Sequence, residues 1–255
     1  MTKVIAITNQ KGGVGKTTTS VNLAASLAAA KRKVLLIDMD PQGNAAMGCG
    51  VDKNAVQYSS CDLLLEDVPI SEIIVSVAEV KFDVIAGNAE LTVAEVQLMK
   101  MAQRERRLAD ALLPIKAEYD YVLIDCPPSL NMLTLNAMVA ADSVLVPMQC
   151  EYYALEGLSA LMETLRNIQE SANPGLYLEG ILRTMFDNRS RLTKDVSAQL
   201  LEYFGDKIFR TCVPRNIRLA EAPSHGMPVL QYDKNSRGAV AYVALAGEII
   251  RKENN

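Results

Sequence analysis

A stretch near the start of the chain has the composition of a phosphate-binding loop. The residues N-Q-K-G-G-V-G-K-T-T occupy positions 9–18, directly after the apolar run Val4 to Ile7. Glycines let the backbone turn tightly and point several N–H groups inward, where they and a helix N-terminus can hold a polyphosphate. Lys16 would supply a cation for the β and γ phosphates, and Thr17 a hydroxyl ligand for Mg²⁺. The predicted nucleotide-binding residues here are Lys11, Gly12, Gly13, Val14, Gly15, Lys16, Thr17 and Thr18.

One position of this loop departs from the usual pattern. A glycine normally stands five residues before the Gly-Lys pair, but this chain has Gln10 there, followed by a second lysine, Lys11. That lysine needs an explanation. A glycine-rich turn without a ligand is the alternative interpretation of the stretch. A dinucleotide-binding fold is disfavoured, because Thr18 stands where G-x-G-x-x-G needs its third glycine.

Carboxylates follow two later apolar runs. Asp38 and Asp40 belong to D-M-D-P-Q-G-N, and Asp125 begins D-C-P-P-S. We expect Asp38 and Asp40 to face the nucleotide, one positioning the attacking water and the other supporting the metal shell, because phosphoryl transfer needs mainly positioning and charge neutralisation. Asp125 is the expected outer ligand of Mg²⁺. Asp-Pro, Gln-Gly and Pro-Pro are also ordinary turn chemistry, so purely structural roles remain the alternative.

The elements that must position these residues follow from apolar periodicity. Strands are predicted at Val4 to Ile7, Val34 to Asp38, Phe82 to Ala86, Tyr121 to Ile124, Ser143 to Pro147, Leu178 to Leu182 and Lys207 to Thr211. Helices are predicted at Thr17 to Ala30, Ala94 to Leu113, Leu133 to Ala140, Leu155 to Glu170, Thr193 to Phe204 and Ala239 to Arg251. Such alternation predicts a doubly wound α/β fold, with a mostly parallel sheet flanked by helices and ligands at the carboxyl ends of its strands.

Length and composition favour one cytoplasmic domain spanning 1–255. The chain has 255 residues and is 49% hydrophobic, enough for a sizeable core. No run approaches the roughly 18 apolar residues of a membrane span, and a strand beginning by Lys3 disfavours a signal peptide. The five cysteines lack C-x-x-C spacing, which argues against zinc and a disulfide framework. The early loop is expected to leave no room for an N-terminal helix-turn-helix.

Charge is unevenly distributed. The whole chain carries −4, which does not favour nucleic acid, but positions 180–237 hold ten Lys or Arg against six Asp or Glu. Ordinary solvated charge would explain that modest excess equally well.

Five motifs together resemble the ParA/Soj chromosome-partitioning ATPases, a family with a deviant Walker A P-loop that is related to MinD. In chain order they are K-G-G-V-G-K-T-T, D-M-D-P-Q-G-N, I-D-C-P-P-S, Q-C-E-Y-Y-A-L-E-G and P-R-N-I-R-L-A-E-A-P-S-H-G. The resemblance covers nearly the whole chain. It implies an ATP- and Mg²⁺-dependent ATPase that dimerises on ATP.

The resemblance also implies roles for individual residues. Lys11 would be the signature lysine that reaches the phosphates bound by the other subunit, and Gly12 would lie where two loops approach closely. Asp40 would be the hydrolytic residue and Asp125 the switch carboxylate; with Thr17, both would serve the metal. Pro214 and Asn216 would contact adenine.

Members of this family bind double-stranded DNA without sequence preference as ATP dimers, on the nucleoid. They release it after hydrolysis stimulated by a ParB/Spo0J-like partner. The candidate DNA-contacting residues of this chain are Arg189, Arg191, Arg215, Arg218, Lys234 and Arg237.

Two other functions are alternatives for a chain with this loop. A MinD-like regulator of cell division would act at the membrane through a C-terminal amphipathic helix, but only four residues follow Arg251 and they include no basic, bulky apolar extension. We therefore expect no membrane partner. A small-molecule P-loop ligase or kinase would need a substrate pocket with its own polar groups, and none stands out in the sequence.

Overall fold

The computed structural model describes residues 2–66 and 68–253. Its strands are β1 (Lys3–Ile7), β2 (Val34–Asp38), β3 (Val75–Val77), β4 (Phe82–Ile85), β5 (Tyr121–Asp125), β6 (Ser143–Gln149), β7 (Tyr177–Phe186) and β8 (Ile208–Pro214). Its helices are α1 (Lys16–Ala29), α2 (Asn44–Met47), α3 (Ser60–Leu65), α4 (Ile70–Ile73), α5 (Leu91–Leu98), α6 (Arg107–Leu112), α7 (Met132–Ala140), α8 (Ala154–Ser171), α9 (Arg191–Phe204), α10 (Ile217–Glu221), α11 (Val229–Tyr232) and α12 (Arg237–Glu253).

The strands form one sheet with the order β3-β4-β2-β5-β1-β6-β7-β8. Every neighbouring pair is parallel except β3 and β4. The predicted doubly wound, mostly parallel sheet flanked by helices is therefore confirmed. The chain leaves β1 toward β2 on one side and later places β6 on the other, so the strand order reverses beside β1. That switch point is where sheets of this type bind ligands.

Two apolar layers cover the sheet. β2 and β5 are buried at every position, as parallel strands covered by helices must be. Alternate residues of β5 enter opposite layers: Val122 and Ile124 pack with α7 and α8, whereas Tyr121 and Leu123 pack with α1 and α12. The layers hold the carboxyl ends of β1, β2 and β5 level, since Asp125 pairs in register with both Ile7 and Asp38.

The predicted single helix from Ala94 to Leu113 is wrong, because the chain forms α5 and α6 with a break between them. The cause is a side chain elsewhere in the sequence. Asn136 of α7 donates to the Arg104 carbonyl at 2.8 Å and accepts from the Leu108 N–H at 3.2 Å. These bonds satisfy backbone groups at the break. The segment contains no glycine or proline to signal it.

Strand β3 was not predicted. It is a three-residue antiparallel edge strand whose residues are all at least partly exposed, so it lacks the apolar run typical of the buried strands. Within the described residues, no helix has the length and apolarity needed to cross a membrane.

Candidate nucleotide site

The phosphate-binding loop lies at the carboxyl end of β1 and leads directly into α1. Gly13 and Gly15 have positive φ angles of 73° and 88°, which residues with a Cβ rarely adopt. The Thr184 hydroxyl donates to the Val14 carbonyl at 2.7 Å and so ties the loop to β7. These bonds and angles leave the loop wrapped around the N-terminus of α1, where backbone N–H groups can hold phosphate.

Lys16 is the buried cation of this loop. Its side chain extends back across the loop, with Nζ 3.3 Å from the Lys11 carbonyl oxygen. Burial lowers the pKa of Lys16, and the nearby carboxylates of Asp125 and Asp40 oppose that shift. Lys16, Asp40 and Asp125 therefore act on one another electrostatically.

Asp125 is fully buried at the end of β5, facing α1. The Thr17 hydroxyl donates to its Oδ2 at 2.7 Å, and the Ser20 hydroxyl donates to its Oδ1 at 2.8 Å. Burial raises the pKa of Asp125, whereas the two hydroxyl bonds lower it. Sequence reasoning missed Ser20. The available signal was its position one helical turn after Thr17, which places both hydroxyls on one face of α1.

Asp38 and Asp40, which were both expected to face the nucleotide, have different surroundings. Asp38 is completely buried. Its Oδ2 accepts from the N–H groups of Ala45 and Ala46 at 2.9 and 3.1 Å, and its Oδ1 accepts from Asp40 N–H at 3.1 Å. Asp38 thus anchors the following loop and the start of α2. Burial and the charge of Asp125 raise its pKa.

Asp40 is the half-buried carboxylate of this loop. Its Oδ1 accepts from Gln42 N–H at 2.9 Å. The loop itself is clamped, because Lys53 Nζ donates to the Gln42 carbonyl and Gly43 packs against Gly87. The Asp40 carboxylate also acts electrostatically on Lys16 and Asp125, so Asp40 belongs to the same charged cluster.

Lys11 and Gly12 lie on the exposed side of the loop. Lys11 Nζ is 2.5 Å from a Glu151 carboxylate oxygen, and about half of each side chain is exposed. A Cβ added at Gly12 would meet nothing nearer than Pro128 Cβ at 4.0 Å. Nothing in the described parts of the chain's own fold therefore requires glycine at this position.

The donor set fits a magnesium nucleotide. Mg²⁺ usually keeps several waters and binds through one or two protein oxygens together with substrate phosphates. Thr17 Oγ1 and, through water, Asp125 would hold the ion, and Asp40 lies near enough to act electrostatically on the same groups. Among the residues that the structure describes, no cluster of three or more His, Cys, Asp or Glu could hold a metal.

Comparison with known proteins shows the family. The family model described as an AAA domain matches residues 2–178. The sporulation initiation inhibitor protein Soj of Bacillus subtilis is 52% identical over 249 residues, covering 98% of each chain. The chromosome partitioning protein ParA of Myxococcus xanthus is 51% identical over 251 residues, covering 98% of this chain and 89% of its own. The chain belongs to the ParA/Soj family.

A solved structure is also similar to this chain in fold. Cobyrinic acid a,c-diamide synthase from Mycobacterium smegmatis, with bound ATP analog and magnesium, superposes with a TM-score of 0.88 at 35% identity. The match covers 100% of this chain and 97% of that one.

The two residues expected to contact adenine in this ParA/Soj-family chain follow the carboxyl end of the sheet's last strand. Pro214 ends β8, and Asn216 precedes α10. The Asn216 Oδ1 atom is buried and has no hydrogen-bond partner among the described residues. A buried acceptor without a partner is destabilising unless a ligand or water supplies a donor. The exocyclic amino group of adenine is a donor of the required kind.

The structure brings three of the six candidate DNA-contacting residues together. Arg189, Arg215 and Arg237 line one cleft of about 880 Å³ between the ends of β7 and β8 and the start of α12. Arg189 is bound there by Asp187, whose carboxylate accepts two guanidinium bonds at 3.1 Å.

The remaining candidates do not line this cleft. Arg191 lies 3.8 Å from Asp195, and Arg218 pairs with Glu221 at 2.8 Å and Asp233 at 3.4 Å. Lys234 is exposed.

Proposed function

We propose that this chain is an ATP-hydrolysing DNA-segregation switch. An ATP-bound sandwich dimer would bind double-stranded DNA without sequence preference on the nucleoid. It would leave DNA after hydrolysis stimulated by a ParB/Spo0J-like partner. The names of the Soj and ParA relatives support this function. The observation that carries it is the exposure of Lys11 and Gly12 on the nucleotide face, where the chain itself makes little use of them.

Catalysis would rest on positioning and on charge. Lys16 would bind the β and γ phosphates, and the loop N–H groups would hold the remaining oxygens. Magnesium, once bound, would neutralise phosphate charge. Asp40 would orient the attacking water, because it is the accessible carboxylate of the cluster, whereas Asp38 and Asp125 are fully buried.

Dimerisation explains Lys11 and Gly12. A second loop approaching face to face would bring backbone to Gly12, where a side chain would collide with it. Lys11 would then exchange its exposed pair with Glu151 for the partner's phosphates. Exposed ion pairs are weak, so a doubly charged phosphate can replace this one.

DNA binding would follow from doubling the arginine cleft. Each phosphate contact releases counterions and therefore contributes salt-dependent affinity without reading sequence. Linking two weak patches in one dimer raises the effective affinity, so ATP can switch binding on without changing either patch. The cleft formed by Arg189, Arg215 and Arg237 is the part of the basic region that we assign to phosphate contact.

Binding to random-sequence duplex DNA tests the proposal. The protein would be measured with ATP, ADP or no nucleotide, across a salt titration. We expect tight, salt-sensitive binding with ATP alone, retained by Asp40→Ala and lost by Gly12→Val, which should bind ATP without dimerising. Arg215→Ala removes one phosphate contact from each subunit, so it should make the slope of log affinity against log salt concentration shallower by about 2 for the dimer. Arg166→Ala, on the exposed face of α8 outside the basic region, is the matched control.

One result would overturn the proposal. If DNA binding is absent in every nucleotide state while ATP still dimerises the protein, the ATP-bound dimer does not act by binding DNA. Binding to anionic lipid vesicles in that situation would favour the MinD-like alternative.

A second candidate is an ATP-dependent ligase, which the name of the Mycobacterium smegmatis neighbour favours. Such an enzyme would turn over ATP only with a carboxylic acid acceptor. Phosphate release by the purified protein without any acceptor, stimulated by DNA and a ParB-like protein, would exclude it.

A further inference from the structure

Ser20 carries a buried hydroxyl that has no role in the proposed hydrolysis. It lies on α1 one turn after Thr17 and has no exposed surface. Its Oγ is 2.8 Å from Asp125 Oδ1 and 3.0 Å from the Lys16 carbonyl oxygen. A serine can donate only one hydrogen at a time, and the charged acceptor forms the stronger bond.

The two hydroxyls together fix the Asp125 carboxylate. Thr17 occupies Oδ2 and Ser20 occupies Oδ1, so rotation of the carboxylate about its Cβ–Cγ bond would break both bonds. The orientation of Thr17 depends on this arrangement. While its hydrogen points at Asp125, the lone pairs of its oxygen point away and remain available to a cation.

We propose that Ser20 is a positioning residue for the magnesium ion of the nucleotide. It acts through Asp125, which it holds in the orientation that directs the Thr17 oxygen toward the metal. The inference rests on the proposed nucleotide site but not on DNA binding, dimerisation or the ParB-like partner. It predicts that Ser20 matters for nucleotide affinity only when magnesium is present.

Ser26 provides a matched control within the same helix. It is also buried, and its hydroxyl donates to the Asn22 carbonyl at 2.7 Å, in the same i−4 geometry that Ser20 has with Lys16. Within the described residues, Ser26 makes no hydrogen bond to a carboxylate. Ser26→Ala therefore removes a bond to the helix backbone, whereas Ser20→Ala removes the bond to Asp125.

The experiment measures ADP binding by isothermal titration calorimetry to the full-length protein, once with excess MgCl2 and once with EDTA. The quantity of interest is the ratio of the two dissociation constants. We expect Ser20→Ala to lower the magnesium-dependent gain in affinity about tenfold, as loss of a hydrogen bond to a charged group does. Ser26→Ala should leave the ratio unchanged. Ser20→Cys, which fills the site with a somewhat larger thiol that donates only weakly, should resemble Ser20→Ala and serves if the alanine variant does not fold.

A purely structural role would give another pattern. Equal weakening in magnesium and in EDTA, or an unchanged ratio in both Ser20 variants, would overturn the inference. In the Asp125→Asn background, Ser20→Ala should have no further effect on the ratio, because the bond that it removes no longer has a charged acceptor. A wild-type ratio of 1 would refute the magnesium site itself, whereas failure of DNA binding would leave this inference standing.

Discussion

Gly43→Ala tests whether one glycine determines the position of the loop that carries Asp40. Gly43 has φ 59° and ψ 31°, and an added Cβ would lie 2.3 Å from the Gly87 carbonyl oxygen and 2.5 Å from Lys53 Cδ. Lys53 can move, but the Gly87 backbone belongs to the chain leaving β4. Ordinary contact begins near 3.4 Å, so the loop that carries Asp40 must shift by about 1 Å.

The expected loss of stability in Gly43→Ala has two parts. A left-handed conformation costs alanine about 1 kcal/mol, and overpacking adds about 1–3 kcal/mol. Together these lower the melting temperature by roughly 4–16 °C for a domain of this size. A displacement of 1 Å in a positioning group can slow the chemical step by about 100-fold. We therefore expect ATP hydrolysis to fall by about two orders of magnitude while ADP affinity changes little, since Lys16 and Thr17 are untouched.

Gly226→Ala is the matched control. Gly226 has nearly the same backbone angles, φ 61° and ψ 32°. A Cβ added at Gly226 would lie 3.0 Å from the nearest atom, Gly50 Cα. Gly226→Ala should lower stability without affecting hydrolysis. Phosphate release and thermal unfolding would be measured on both variants. Hydrolysis at the wild-type rate by Gly43→Ala would refute the conclusion that this loop positions Asp40.

The remaining predictions concern binding, stability and thiol chemistry. Lys16→Ala should abolish tight nucleotide binding in calorimetry, because it removes the buried cation of the loop; micromolar binding would contradict that role. Asn136→Ala should reduce the free energy of unfolding in urea by about 2–3 kcal/mol, because it leaves buried backbone groups of the break between α5 and α6 unpaired. Its ADP affinity should remain that of the wild type. Burial raises the pKa of Cys61 and Cys150 to about 11. Mass spectrometry should therefore show that iodoacetamide alkylates both thiols only above about pH 10. The half-buried Cys212 should react before them. Rapid labelling of Cys61 at pH 7.5 would contradict the burial argument.

Much of the fold was predictable because its signals are local. The alternation of apolar runs with helical segments predicts a parallel sheet, and the glycines between β1 and α1 predict the loop at its carboxyl edge. Where prediction failed, the deciding contact came from far along the chain. The break between α5 and α6 depends on Asn136, and the three residues of β3 become a strand only by pairing with β4.

The same division applies to the site. The sequence by itself determined the phosphate loop, its lysine and threonine, and the presence of carboxylates at two strand ends, because these depend on residue type and on spacing of a few residues. Only the tertiary structure decided the surroundings of each carboxylate. Asp38 accepts hydrogen bonds from the backbone of its own loop, and Asp40 stays accessible. Asp125 accepts hydrogen bonds from Thr17 and Ser20. The tertiary structure also decided which arginines share a cleft. Hydrogen bonds and burial depend on partners brought together by the whole fold, and a linear pattern does not contain those distances.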